Sequence, residues 1–244
     1  QLASVLGVAR TNEPVLVISK EMTEPQIAHR LAALNFDFDP RHGLQVPLST
    51  RGYNQIMERI DAGMMDRIMS QIIIPDATRV RHPDDIGELI RQTQPRIVAL
   101  DGAYFMKARR SYGTQRENFE ELVRGIKQVA FETNTGFLMT WQQNRGKGAV
   151  GTDGIYGTDS LSQDAATAIE LSAVVGYPNI RRGKVTKNRH GPQEITFGFS
   201  YEFKPTRLGE PCDLPRTARD ARGGNEGDAI AYAERTIRAQ RERP

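Results

Sequence analysis

The chain has 244 residues, of which 38% are hydrophobic, 26% charged and 7% aromatic, enough to enclose one large core. A formal net charge of +3 permits a nucleic-acid partner without demanding one, and a single cysteine, Cys212, excludes a disulfide framework and a cysteine-rich zinc site. No run approaches the roughly 18 apolar residues of a membrane span and no leader pattern opens the chain, so a reducing, cytoplasmic-type compartment and no membrane association are expected.

Gln1–Ala9 reads as the rear of a helix. The run V15-L-V-I-S-K-E-M22 is apolar and β-branched as far as Ser19 and then reaches a carboxylate, Glu21, as a buried parallel strand does. Thr23 and Gln26 form a T-x-x-Q capping pattern that opens a helix with Ile27, Ala28, Leu31 and Leu34 on its apolar face. Residues 36–49 look irregular, and a helix is expected from Thr50 to Met69. Q71-I-I-I-P75 reads as a short buried strand, Pro83–Gln92 as a helix, and Arg96–Leu100 as a second long strand that stops at Asp101. Thr114–Thr133 is amphipathic, with Phe119, Leu122, Val123, Ile126, Val129 and Ala130 on one side. Gly136–Thr140 is a further strand.

The stretch N144-R-G-K-G-A-V-G-T-D-G-I-Y-G157 carries no strand signal, and so long a loop in a compact domain is usually functional. Ala168–Val175, Gly183–Lys187 and Glu194–Tyr201 follow as strands, antiparallel because their links are short. Strands that alternate with helices and then finish in hairpins predict an α/β fold with a mostly parallel central sheet and antiparallel edge strands. From Lys204 onward, Pro205, Pro211, Pro215 and a run of arginines read as a charged, flexible tail.

In an open α/β sheet, ligands bind beyond the carboxyl ends of the strands. Glu21 and Asp101 both lie at such ends, one suited to orient a water and the other to serve a metal ion. Each residue alone is equally compatible with a solvated strand end. The amide of Gln142, past the third strand, is placed to contact a terminal phosphate or merely to face solvent. Lys187 and Arg189 sit two apart at a strand end before a Gly-Pro turn, which suits a phosphate or an ordinary basic hairpin. Arg145, Lys147 and Gly148 lie in the glycine-rich loop, where backbone amides can approach a phosphodiester chain. The four histidines lack metal-ligand spacing, and Trp141 reads as packing. No G-x-x-x-x-G-K-S/T phosphate loop occurs.

Taken in order, V15-L-V-I-S-K-E-M22, R96-I-V-A-L-D-G-A-Y-F-M106, T140-W-Q-Q-N-R145, S160-L-S-Q-D-A165 and K187-N-R-H-G-P192 resemble the successive motifs of the DnaB family of hexameric replicative helicases. That family shows patterns of the type S-L-E-M, D-Y-L-Q-L-M, S-Q-L-N-R, S-I-E-Q-D-A-D and K-Q-R-N-G-P. The resemblance spans residues 1–203 and implies a RecA-like three-layer ATPase domain, of phage or plasmid type, in the (host) cytoplasm. It implies ATP and Mg2+ as ligands, with Glu21 activating water, Asp101 linked to the metal and Gln142 sensing the γ-phosphate. Lys187 and Arg189 would reach into the next subunit's site, and Arg145, Lys147 and Gly148 would grip single-stranded DNA. The implied partners are single-stranded DNA, further copies of the chain in a hexameric ring, and a primase and helicase loader.

The sequence departs from the pattern in three places. The family's phosphate loop would lie just before Gln1, so the chain is expected to begin a few residues past it. Tyr156–Asp159 stand where relatives carry an arginine and an acid, and this sequence is expected to lack the family's helical collar. Two other readings remain open: a recombinase-like RecA-fold ATPase, or a non-catalytic subunit or interaction module.

Overall fold

The apolar runs at 15–18, 97–100 and 136–139 become neighbouring parallel strands in the computed structural model. The structure describes residues 1–36, 38–39, 50, 54, 57–58, 62–110, 113–142, 160–174, 177–193, 195–203 and 206–208. The chain divides into two units, Gln1–Asp164 and Ala165–Pro244.

In the first unit the described elements run α1 (Leu2–Ala9), β1 (Val15–Ser19), α2 (Glu24–Phe36), α3 (Ala62–Met69), β2 (Ile72–Ile73), α4 (Pro83–Thr93) and β3 (Ile97–Asp101). A 3-10 turn (Ala103–Phe105), α5 (Gln115–Thr133), β4 (Gly136–Met139) and α6 (Ser160–Asp164) complete it. The sheet is parallel throughout, in the order β2-β1-β3-β4. Side chains alternate between its faces, as the two-residue period of a strand requires. Leu16, Ile18, Val98 and Leu100 pack with Ile86 and Ile90 of α4 and with Phe119, Leu122, Ile126 and Val129 of α5. Val15, Val17 and Ala99 pack on the opposite face with Val5, Leu6 and Ala9 of α1, Ile27 and Leu31 of α2 and Ile68 of α3. Helices therefore cover both faces, giving three layers.

Local chemistry sets the helix ends. The amide of Thr23 donates to Gln26 Oε1 at 3.0 Å, the reciprocal half of the expected capping pattern. At α5, Glu117 N donates to Thr114 Oγ1 at 3.2 Å and Thr114 N to Glu117 Oε2 at 3.1 Å, closing a full capping box. Asn134 then ends the helix in the left-handed conformation, φ 50°. Of the helix expected over Thr50–Met69, α3 is the part that can be described as a continuous element; the irregular segment expected at 36–49 lies almost wholly outside the described residues.

Where α4 and α5 cross, Gly125 lies against Pro83, and a Cβ at Gly125 would sit 2.9 Å from Pro83 Cγ and 3.2 Å from its Cβ. Alanine gains about 1 kcal/mol over glycine in a helix interior. Overpacking against a rigid ring costs about 1–3 kcal/mol. Gly125→Ala is therefore expected to lower stability by about 1 kcal/mol in a denaturant titration. A stabilised variant would mean that α4 can step back from the crossing.

The second unit contains β5 (Thr167–Val174), β6 (Tyr177–Asn188), β7 (Thr196–Phe203) and β8 (Thr206–Leu208), paired antiparallel in sequence order. The expected change from parallel to antiparallel strands is present, and the hydrogen bonds give these four strands a sheet of their own. Short links let each strand pair with its sequence neighbour. Strand β8 falls inside the segment read as the start of the tail, and its pairing Tyr201↔Leu208 and Phe203↔Thr206 extends β7. Gly183 is buried beneath the ring of its cross-strand partner Phe197. Among the described residues no helix is long and apolar enough to cross a membrane.

Candidate functional site

The order β2-β1-β3-β4 has its switch point between β1 and β3, where successive crossovers leave in opposite directions. The crevice beyond the carboxyl ends of those two strands is where doubly wound α/β folds hold ligands. Each flanking strand ends its apolar run with a polar residue at one level: Ser19 on β1 and Asp101 on β3 are register partners. Thr140 directly follows Met139, the partner of Leu100. Continuing the alternation puts all three side chains on the α1 face of the sheet.

They form a hydrogen-bonded row. Ser19 Oγ donates to Asp101 Oδ2 at 2.9 Å, and Thr140 Oγ1 donates to Asp101 Oδ1 at 2.6 Å. Backbone bonds from Thr140 N to Leu100 O (3.1 Å) and from Lys20 N to Asp101 O (2.9 Å) extend the ladder past the apolar runs. Ser19 is buried, and its oxygen also accepts from the amides of Glu21 (3.2 Å) and Met22 (3.0 Å). One hydroxyl therefore orients the Asp101 carboxylate and fixes the bend that carries Glu21. Both Asp101 oxygens retain lone pairs for a further ligand.

Glu21 is exposed above this row. Its side chain lies over Gly102, where an added Cβ would come within 3.0 Å of Glu21 Cγ; Gly102 also holds φ +69°, the left-handed conformation that favours glycine. The Tyr104 hydroxyl donates to Glu21 Oε1. That bond, followed by burial and by the charges of Glu21 and Asp101, pushes the Tyr104 phenol up to about 12. Lys20 turns elsewhere and donates from Nζ to Ala77 O; burial, the largest influence on it, lowers its pKa, with Asp85 and Asp76 pulling the other way. The head of α1 meets the same corner, since Gln1 Nε2 donates to Leu138 O at 3.0 Å. Helix N-termini favour anions, so this corner suits a phosphate.

Of the residues expected from the sequence, Glu21 and Asp101 are brought together through Ser19. Gln142 is exposed two residues beyond Thr140. Lys187 lies half-buried near the end of β6, paired with Ala168. Arg189 is exposed in the following turn, its amide donating to Ala166 O at 3.0 Å. Arg145, Lys147 and Gly148 lie outside the described residues, as does most of the expected tail. Trp141 packs as expected, edge-on to Phe119 at 5.7 Å and Tyr104 at 6.0 Å.

Four contributors were not singled out from the sequence: Ser19, Thr140, Gly102 and Tyr104. The first two had a readable signal, because V15-L-V-I, I97-V-A-L and G136-F-L-M each give way to a hydroxyl or carboxyl at the fifth position. Tyr104 had none, as 83 positions separate it from Glu21.

Similar architecture occurs in solved structures. The ATPase domain of G40P superposes with a TM-score of 0.71 at 17% identity, covering 88% of this chain and 79% of that one. A DnaB-like replicative helicase, described with its interactions with primase, superposes with a TM-score of 0.71 at 18% identity. Here 88% of this chain is covered and 54% of the other, so the chain spans about half its length. These likenesses establish the fold as the RecA-like α/β architecture of DnaB-like ATPase domains. No protein-family model matches the sequence, and no curated protein is similar enough to match it.

Proposed function

We propose that this chain is the ATP-hydrolysing motor domain of a DnaB-like ring helicase that moves on single-stranded DNA, with residues 1–203 and the paired strand β8 as the motor and the sequence beyond β8 as a charged tail. The observation that carries the reading is the Ser19–Asp101–Thr140 row with Glu21 above it, at the β1/β3 switch point and beside the head of α1.

The donor set fits Mg2+. That ion takes one or two protein carboxylates and fills its shell with phosphate oxygens and waters. Asp101 supplies one oriented carboxylate, and no cluster of three or more acidic, histidine or cysteine side chains competes for metal among the described residues. When bound, Mg2+ would neutralise charge on the phosphoryl group being transferred. Glu21, held past the strand end, takes the proton of the attacking water, and Gln142 contacts the γ-phosphate from the segment that follows β4. Lys187 and Arg189 serve the site of a neighbouring copy in the ring. Arg145, Lys147 and Gly148 contact the DNA backbone without reading its sequence, since a glycine-rich basic stretch of sequence lets phosphates be approached closely. A primase and a loader are expected as further partners.

The test uses the full-length protein with Mg2+, ATP and a forked duplex. ATP turnover that rises several-fold with single-stranded DNA, together with strand separation, is the expected result. Stoichiometric coating of DNA without unwinding would favour a recombinase-like filament instead. Absence of hydrolysis with and without DNA would overturn the catalytic reading in favour of a non-catalytic module.

A further inference from the structure

Ser19 fixes the backbone of Glu21 but not its side chain. An exposed glutamate has three rotatable bonds, and a base free to swing loses the alignment that proton transfer needs. We propose that Tyr104 is a positioning residue for Glu21: its hydroxyl clamps Oε1 of the carboxylate and leaves Oε2 to take the proton of water. This rests on the reading of Glu21 as the base.

Tyr104 is well placed for that task because it is anchored in turn. Its ring lies 4.6 Å from Phe105 and edge-on to Trp141 at 6.0 Å with an interplanar angle of 71°. Trp141 stands edge-on to Phe119 at 5.7 Å and 79°, and Phe119 belongs to the buried core beneath α5. Two ring contacts thus tie the hydroxyl to the rigid part of the unit. Gly102 completes the arrangement: without a side chain, it leaves room for the Glu21 stem, whose Cγ a Cβ there would approach to 3.0 Å. A base held by a third group is the general pattern of an activated proton acceptor. The same chain of contacts reaches the nucleotide sensor, because Trp141 immediately precedes Gln142.

Tyr104→Phe keeps the ring contacts and removes only the hydroxyl. In full-length protein the variant is expected to lose about ten- to a hundredfold in kcat, the scale of a misplaced catalytic group, with KM for ATP and Tm unchanged. A second measurement reads the contact itself. The Tyr104 signal in 13C-tyrosine NMR, assigned by its loss in Tyr104→Phe, should titrate near 12 in the wild type and fall toward the ordinary tyrosine value of about 10 in Glu21→Ala. Unchanged kcat in Tyr104→Phe, where Glu21→Gln is inactive, would overturn the positioning role alone. So would a raised KM at full kcat, or a wild-type signal titrating at about 10. Hydrolysis that survives Glu21→Gln would overturn the base assignment and the positioning role together.

Discussion

Glu21→Gln is expected to stop ATP turnover in the full-length protein while nucleotide remains bound. A positioned general base contributes roughly 10²–10⁴-fold, and an amide cannot take a proton from water. The substitution preserves shape. The Gln side-chain oxygen still accepts from the Tyr104 hydroxyl, and the backbone bonds to Ser19 Oγ do not involve the side chain at all. Asp101 keeps both of its hydroxyl partners, so that corner stays intact. Phosphate release with Mg2+ and single-stranded DNA should fall by about three orders of magnitude, while a fluorescent nucleotide binds with near wild-type affinity. Turnover within a few-fold of wild type would sink the assignment of Glu21. Loss of binding along with turnover would instead give Glu21 a structural part in holding the nucleotide.

Arg189→Ala should cost as much or more. Arginines supplied to a transferring phosphoryl group are worth roughly 10³–10⁵-fold, and lysine does not replace the planar fork of a guanidinium. The residue lies in an exposed turn at the end of β6, and its backbone amide, which alanine retains, is what donates to Ala166 O. What makes the variant decisive is its combination with Glu21→Gln. If Arg189 acts on a neighbouring copy, an interface is complete whenever an Arg189→Ala subunit contributes Glu21 and a Glu21→Gln subunit contributes Arg189. Random mixing of the two inactive variants then restores about a quarter of the interfaces of a cyclic assembly. If Arg189 acts within its own chain, every site lacks one group and the mixture stays inactive. Recovered turnover on mixing is the expected result, read by phosphate release after co-refolding or co-expression.

Much of this arrangement can be read from the linear sequence because burial imposes patterns. The strands at Val15–Ser19 and Ile97–Asp101 are apolar on both faces, as strands sandwiched between helices must be, so their ends were plain and with them Glu21 and Asp101. The long helix Gln115–Thr133 shows its apolar face in the same way. The beginning of β6 is harder to see. Pro178, Arg181 and Arg182 give no strand signal, and the two arginines are extended because β5 and β7 lie on either side of them. The partners of the acids are hidden for a different reason. That Ser19 and Thr140 flank Asp101 follows only once β3 is known to lie between β1 and β4, an order that no local pattern encodes. Tyr104 depends on the path of a single 3-10 turn over Gly102. Strand ends are local properties, whereas side-chain partnerships are consequences of topology.

The buried hydroxyl of Ser19 acts as a shared pivot between two jobs. It donates to the Asp101 carboxylate and receives the amides of the bend that carries Glu21. The two acids therefore cannot be retuned independently through the first strand: a change at position 19 shifts Asp101 and Glu21 at once. On the proposed reading, a form of the protein stalled with nucleotide bound is made at the free end of the lever, Glu21, and never at its hinge.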